Sequence, residues 1–386
     1  MRLRVMTAGE SHGAALVAIV EGLPHGLAVS PEIVDRDLSR RQAGHGRGAR
    51  MKIESDTVRI LSGVRHGHTI GSPVALQIDN RDSANWLDVM SVEGAGLEPE
   101  TRPRPGHADL AGMLKFGTRD ARDILERASA RETAARVAAG ALARTLLETL
   151  GITIVSRVVA IGHVRMEGSG ALPEGFAGAD ESPVRCPDGA VSEAMVEEID
   201  RAAEAGDSLG GVFEVCAFGM VPGLGSHAQY DRRLDAALFA ALASVPAVKG
   251  VESGAGFDLA RVRGTEAQDG IVLEDGTLRR TGNNAGGIEG GISNGEPLLL
   301  RAAMKPIPST GRPQKTVDVS DLTPAESFKE RADVCAVPAA SVIGEAVVAI
   351  TLADAVLDKF GGDSMAELER NFRSYLDGLG GLWRRA

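Results

Sequence analysis

Aromatic side chains are scarce in this 386-residue sequence: phenylalanine, tryptophan and tyrosine together make up 3% of it. Stacking platforms for nucleobases are correspondingly few. The three cysteines, Cys186, Cys216 and Cys335, lie far apart, and no two show CxxC or zinc-ligand spacing. They read as buried or incidental thiols in a reducing compartment. Lysine supplies only seven of the 42 basic residues, and the formal net charge is -11. That balance argues against a general nucleic-acid binder, which needs a broad basic face. No apolar run is read as reaching the ~20 residues that span a bilayer. Met1 to Met6 gives way to polar residues at Thr7 without the apolar core of a signal peptide. No membrane association is expected, and the cytoplasm is the default compartment.

Hydrophobic residues at 43% are ample for a core, and glycine, at 48 residues, allows many tight turns. Strands are expected at Arg2–Met6 and Ala15–Glu21, joined by the polar turn Gly9-Glu10-Ser11-His12-Gly13. Ser30-Pro31 opens a helix striped by Ile33, Val34 and Leu38 and closing before Gly44. Further strands are expected at Thr57–Leu61, Val74–Ile78, Ile152–Ile161, Val212–Phe218 and Leu298–Met304. A helix begins near Ala108, and a stronger one at Ser129, where Ser129-Ala130-Arg131-Glu132 spells a capping box and Gly151 a stop. Helices are also expected over Ser192–Ala205, from an Asp231 cap to before Pro246, and from Pro338 to Phe360. Residues 164–191 look like an exposed excursion. Gly71-Ser72-Pro73-Val74-Ala75-Leu76 echoes Gly295-Glu296-Pro297-Leu298-Leu299-Leu300, a modest hint of two related halves. No linker divides residues 1–386, so a single α+β domain is expected.

Two histidines sit in glycine-framed turns: His12, and His107 in Arg102-Pro103-Arg104-Pro105-Gly106-His107-Ala108-Asp109. Each can move a proton near neutral pH or anchor an anion, and each is equally compatible with a hydrogen-bonded loop histidine. His66 and His68 form an HxH pair, but no third ligand stands at metal spacing and no metal is expected. Residues 40–52 concentrate Arg40, Arg41, Arg47 and Arg50 among glycines, a composition suited to phosphate or carboxylate and also to a solvated basic loop. Gly44-x-Gly46-x-x-Ala49 follows a helix rather than a strand, so it is not a dinucleotide fingerprint. Arg127 and Arg131 flank a helix start that favours an anion. The Lys305-Pro306-Ile307-Pro308-Ser309-Thr310 loop and Arg331-Ala332-Asp333 are weaker cationic signals.

Together these segments resemble the chorismate synthase family. The sequence carries GESHG at 9–13, RPGHAD at 104–109, SARETAARVAAGA at 129–141, GGIEGGISNG at 286–295 and DVCAVPAA at 333–340, in the family's order over nearly the whole chain. The resemblance implies a β-α-β sandwich, a helical layer between antiparallel sheets from two related halves, assembled as a homotetramer. It also implies a trans-1,4-elimination of phosphate from 5-enolpyruvylshikimate-3-phosphate to give chorismate, with reduced FMN required and NADPH allowed as an external reductant.

By the same resemblance, His12 protonates the departing phosphate, His107 holds or protonates the reduced flavin, and Asp333 works with the flavin to remove the ring proton. Arg41 and Arg47, with Ser11, Arg104 and Arg131, would contact substrate or nicotinamide nucleotide. FMN contacts carry over to Arg127, Ala128, Ser129, Pro246, Ala247, Gly290, Lys305, Pro306, Ile307, Pro308, Ser309 and Arg331. Ala128 stands where serine is commoner, and Pro246 where an amide is frequent, so one hydroxyl and one amide contact are missing. The rival readings are a flavin reductase using the same pocket, a nucleic-acid or polyphosphate binder using residues 40–52, and a catalytically dead flavoprotein.

Overall fold

The computed structural model describes residues 3–48, 55–94, 97–168, 171–328 and 333–383. Arg331 and residues 49–52 of the arginine–glycine segment therefore lie outside the described residues. Two antiparallel sheets form the outer layers. The first joins β1 (Arg4–Ala8), β2 (Ala15–Glu21), β3 (Val58–Ser62) and β6 (Val74–Asp79) in the order β1-β2-β6-β3, with the short pair β4 (Val64–Arg65) and β5 (His68–Thr69) beside it. The second joins β7 (Thr153–Ile161), β8 (Val164–Arg165), β9 (Gly211–Phe218), β10 (Val248–Ser253) and β15 (Leu298–Met304) in the order β10-β15-β9-β7-β8. The remaining strands are the two-stranded hairpins β11–β12 (Ile271–Glu274, Thr277–Arg280), β13–β14 (Ile288–Glu289, Ile292–Ser293) and β16–β17 (Lys315–Asp318, Thr323–Glu326).

Helices fill the space between the sheets because each sheet has one apolar face. Leu16, Ala18 and Val20 of β2 and Val74, Leu76 and Ile78 of β6 alternate inward. Helix α4 (Thr133–Thr149) packs on that face, and α8 (Val337–Phe360) packs on β7 and β9 of the other sheet. The two helices lie against each other, with α1 (Pro31–Gln42) touching both. Thus α1, α4 and α8 form the middle layer of a β-α-β sandwich. Helices α2 (Asp109–Phe116), α3 (Arg122–Ala128), α5 (Gly189–Glu204), α6 (Leu234–Ala243), α7 (Gly264–Ala267) and α9 (Met365–Gly378) complete the described helices. Gly71 and Gly295 both adopt positive φ, and each leads into an interior strand of its own sheet, β6 and β15.

Several expectations are corrected. Ser129 caps a 3-10 turn, Ala130–Glu132, by accepting from the Arg131 amide, and α4 starts only at Thr133. The Glu132 side chain turns to Arg136 rather than back to the cap, so no reciprocal box forms. Asp231 lies in a 3-10 turn, and α6 begins at Leu234 with Arg233 in the cap position. The excursion after β8 is not wholly exposed: Phe176 packs with Cys216 and Leu299 on the outer face of the second sheet, and Val184, Arg185 and Cys186 are buried. Helix α8 is long and apolar enough to cross a membrane by length and composition, contrary to the reading of the apolar runs. However, 78% of its most apolar stretch is buried inside the molecule, as in a core helix.

Helix α8 carries one charge into this core. Glu345 accepts a bidentate fork from Arg40 of α1 (2.7 and 2.8 Å), and single bonds from Arg144 of α4 (3.1 Å), Arg185 (3.2 Å) and the Ser156 hydroxyl of β7 (2.7 Å). Burial alone would push its carboxyl up; Arg40, Arg144 and Arg185 outweigh that and hold it below the ordinary range. Gly140 of α4 lies where α8 passes closest, and a Cβ there would come within 2.5 Å of the Ala346 side chain.

Two stability predictions follow from this packing. Gly140→Ala gains helix propensity of about 1 kcal/mol, but overpacking against Ala346 costs about 1–3 kcal/mol. A net loss in urea-unfolding free energy is therefore expected, and Gly140→Leu should lose far more; a stabilised Gly140→Ala would show that the helices move apart readily. Glu345→Gln should destabilise by about 3–5 kcal/mol at pH 7, since it removes the charge that Arg40, Arg144 and Arg185 share and leaves only Asp37 and Asp180 to offset them. Because the folded-state carboxyl titrates below about 4.3, its contribution is complete above that pH and is lost as pH falls through the lowered folded-state value. Wild-type stability should therefore fall towards that of Glu345→Gln below about pH 4.3. Equal urea midpoints for the two proteins at pH 7 would refute the assignment.

Candidate active site

A cleft of about 450 Å³ opens where the ends of these elements converge. Its walls take Ser11 and His12 from the β1–β2 turn, Arg41, Arg47 and Gly48 from the end of α1 onward, and Arg104 and His107 from the loop before α2. Ala128, Ser129 and Arg131 come from the α3–α4 junction, and Pro246 and Ala247 from the loop after α6. Lys305, Ile307, Pro308 and Ser309 follow β15, and Asp333 precedes α8. Segments hundreds of residues apart in sequence thus supply one surface. Leu125, Val245, Met304, Ala336, Ala339, Ala340 and Ile343 make part of it apolar. Ala247 holds a left-handed backbone (φ 68°), a sparsely populated state for a non-glycine residue, at this rim.

His12 is buried and fixed at both ends by one carboxylate. Glu126, on the last turn of α3, accepts from the His12 backbone amide (2.9 Å) and contacts ring Nδ1 (3.0 Å). Burial would raise the Glu126 carboxyl, but its bonds from His12 and the charge of Arg122 outweigh that and lower it. An ionised carboxylate only accepts, so Nδ1 carries a proton. The other face of the ring stacks on Trp86, centroids 3.9 Å apart.

His107 is built the same way. Nδ1 meets Asp109 in a short contact, and Asp109 also accepts from Arg104 Nε (2.9 Å) and from the Arg104 amide (3.1 Å). Burial opposes ionisation of Asp109, yet the bonds from His107 and Arg104 win and hold its carboxyl far below the usual range. Arg104 Nη1 donates to Ser309 Oγ (3.1 Å), and Lys305 Nζ donates to the Gly106 carbonyl (2.8 Å), tying the two loops together.

Cations crowd the third wall. Arg41 donates through Nε to Thr133 Oγ1 (3.0 Å) and through Nη2 to the Ala130 carbonyl (2.9 Å). Its buried Nη1 has no hydrogen-bond partner among the described residues and lies 3.7 Å from Asp56. Burial pushes the Arg41 guanidinium down to about 10; Asp56 opposes this, and Arg47 and Arg131 add to it. Arg131 is anchored by Asp56 (2.6 Å) and Asn80 (2.8 Å). Asp333 accepts from Arg47 (2.6 Å) and the Gly48 amide (2.7 Å). Such a surface suits a polyanion, because an anion would relieve the mutual repulsion of the guanidinium groups.

Among the described residues, three expected contacts do not line the cleft. Arg127 donates instead to the Thr7 carbonyl (2.9 Å) and the Gly9 carbonyl (3.0 Å), fastening the turn that carries His12. Gly290 lies in the β13–β14 hairpin turn, Pro306 is absent from the lining although its neighbours are present, and Arg331 lies outside the described residues. His66 lies in the β4–β5 turn and His68 opens β5, where its Nδ1 contacts the His66 carbonyl (3.0 Å). Sequence reasoning missed Glu126, Trp86, Asp109 and Asp56. Asp109 stood in plain view two residues after His107. Glu126 could have been found only by recognising α3, and nothing local ties Trp86 or Asp56 to a site.

The chain matches the family model described as chorismate synthase over residues 3–357. Chorismate synthase from Desulforudis audaxviator (strain MP104C) is 60% identical, with 97% of each chain covered. That from Rubrobacter xylanophilus (strain DSM 9941) is 55% identical, with both chains covered in full. A crystal structure of chorismate synthase superimposes with a TM-score of 0.80 at 43% identity, covering 98% of both chains. With residues 3–357 matched and the sandwich shared, this chain belongs to the chorismate synthase family.

Proposed function

We propose that this lyase uses reduced FMN, held in the cleft beside 5-enolpyruvylshikimate-3-phosphate, to eliminate phosphate and a ring proton and form chorismate. The observation that carries this reading is the meeting of three surfaces in one cleft: two carboxylate-held histidines, a wall of arginines and an apolar wall. The apolar wall suits a flat ring system, and Arg41, Arg47 and Lys305 suit phosphate and carboxylate groups, so the residues present fit both flavin and substrate. The full-length family match does not favour a dedicated flavin reductase. NADPH enters only as an external source of reducing equivalents, the cytoplasm is the proposed compartment, and residues 1–386 act as one unit. A homotetramer is also proposed, since Met6 (64% exposed) and Ile19 (40% exposed) pair on the outer face of the first sheet, a surface suited to self-association.

When bound, reduced FMN would lend electron density to the breaking carbon–oxygen bond and recover it as the ring proton leaves, with no net redox change. Arg41, Arg47 and Arg131 orient the substrate and neutralise its charge, which holds the leaving phosphate in place. His12, its Nδ1–H committed to Glu126, gives the proton on Nε2 to the departing phosphate. His107, steadied by Asp109, holds a proton on the flavin side of the cleft. Asp333 takes up the ring proton. Arg47 holds its carboxylate at 2.6 Å, a contact for which substrate anions would compete.

Anaerobic turnover with dithionite-reduced FMN should yield chorismate and phosphate in equal amounts. No product from folded, FMN-binding protein would overturn the reading. His12→Ala and His107→Ala should each lower kcat by roughly 10²-fold or more, and wild-type turnover would remove that residue from the mechanism. Asp333→Asn should keep FMN binding, followed by flavin absorbance, while losing turnover.

A further inference from the structure

Glu126, Trp86 and Arg122 enclose His12 in a closed arrangement that catalysis alone does not require. Glu126 Oε1 accepts from Arg122 Nη1 (2.9 Å), one helical turn away on α3, while its carboxylate holds the His12 ring and amide. Trp86 stacks on the ring at 26° between planes, and the Arg122 guanidinium lies over the Trp86 ring, 5.2 Å from its centroid. Each of the four side chains therefore touches two others. The Trp86 indole is itself placed by the 3-10 turn Arg81–Asn85 and reaches Asp82 through Nε1 (3.4 Å).

We propose that Glu126 is a positioning residue for proton transfer, fixing the tautomer and stabilising the cationic form of His12, with Arg122 moderating that effect and Trp86 transmitting it. The proposal rests on the reading of His12 as the proton donor. A carboxylate against Nδ1 favours the imidazolium, and the electron-rich face of an indole does the same. Arg122 works the other way, because it shares the negative charge of Glu126 and lies against the same indole. Its side chain is 22% exposed against 4% for Glu126, so water screens Arg122 more and its opposition is the weaker of the two.

Other charges face the ring and act on every variant alike. Glu10 lies in its own turn, and Asp82 beneath the indole. The cleft lining that His12 shares also holds Arg41, Arg47 with Asp333, Arg131, Arg104 with His107, and Lys305. That lining is rich in cations, and Glu126 brings a carboxylate into direct contact with the ring.

The test compares kcat–pH profiles of wild type, Glu126→Gln and Arg122→Gln, together with the emission of Trp86. Only two tryptophans occur, so a Trp383→Phe background excited at the red edge of tryptophan absorption, where the two tyrosines do not absorb, reports Trp86 alone, quenched when the stacked imidazole is protonated. Glu126→Gln should move the alkaline limb of kcat and the emission midpoint to lower pH by about one unit or more. Arg122→Gln should move both to higher pH by a smaller amount. Opposite shifts from two neighbours on one helix are not what simple loosening of the turn would give. Limb and midpoint unmoved in both variants, with kcat merely scaled, would overturn the proposal and leave Glu126 a structural brace. If the emission midpoint shifts but the kcat limb does not, and His12→Asn turns over normally, the proton-donor reading falls and the catalytic role of Glu126 falls with it. If His12→Asn is impaired and only the Glu126 shifts are missing, the proposal alone is overturned.

Discussion

A carboxylate removed from water, that of Glu345, is the constraint on which the arrangement of the middle layer turns. A buried charge is tolerated only when its partners come to it, and here they come from α1, α4, β7 and the segment covering the second sheet. The hydrophobic contacts between α4 and α8 would allow some sliding, since alanine and glycine surfaces are smooth. The Arg40 fork is directional and does not. Arg40 also has Arg41 as its neighbour. With one arginine locked to the core, the next is turned to Thr133, the Ala130 carbonyl and the cleft. The charge in the core therefore fixes the rotation of α1, and through it one cation of the site.

Elements with strict patterns were legible in the sequence. Ala15–Glu21 and Leu298–Met304 match their expected bounds, and α1 starts at Pro31 as its cap signals require. Elements whose support is tertiary were not. Helix α3 has seven residues, and Ala121 precedes it without a side-chain cap, so no local signal marks it; Ile124 and Leu125 hold it by packing with Met113 and Ala121. Strand β10 runs Val-Lys-Gly-Val-Glu-Ser, with neither alternation nor a β-branched run, and is held in register by β15. The 164–191 segment looked exposed because it is rich in glycine, proline and acid. Phe176 nevertheless packs on the outer face against Cys216 and Leu299, while Val184 and Cys186 join the main core and Arg185 reaches Glu345.

The site was legible in part for the same reason. The glycine-framed turns pointed to His12 and His107 and the arginine clusters to Arg41, Arg47 and Arg131, all of which line the cleft. What the sequence could not display was pairing at long range. Glu126 stands 114 residues from His12, and Asp56 stands 75 from Arg131. Arg127 illustrates the converse. Its neighbours line the cleft, but its own side chain is spent on strand carbonyls, a choice made by the path of β1 rather than by the motif.

The two histidines share a construction, an imidazole on a carboxylate that also binds an arginine, yet the two units are not equivalent. Asp109 is fully buried and accepts from both the side chain and the backbone of Arg104, so its charge is locked. Glu126 is gripped from the other side by the partly exposed Arg122, and the ring it holds leans on an indole rather than on protein backbone. The first arrangement suits a group that must stay in one protonation state through a turnover. The second suits one that must give up a proton and regain it, because its stabilisation can be screened and restored by solvent at Arg122. The proposed chemistry, one proton moved to a leaving group and another kept in place, calls for both kinds, set apart by environment rather than by residue type.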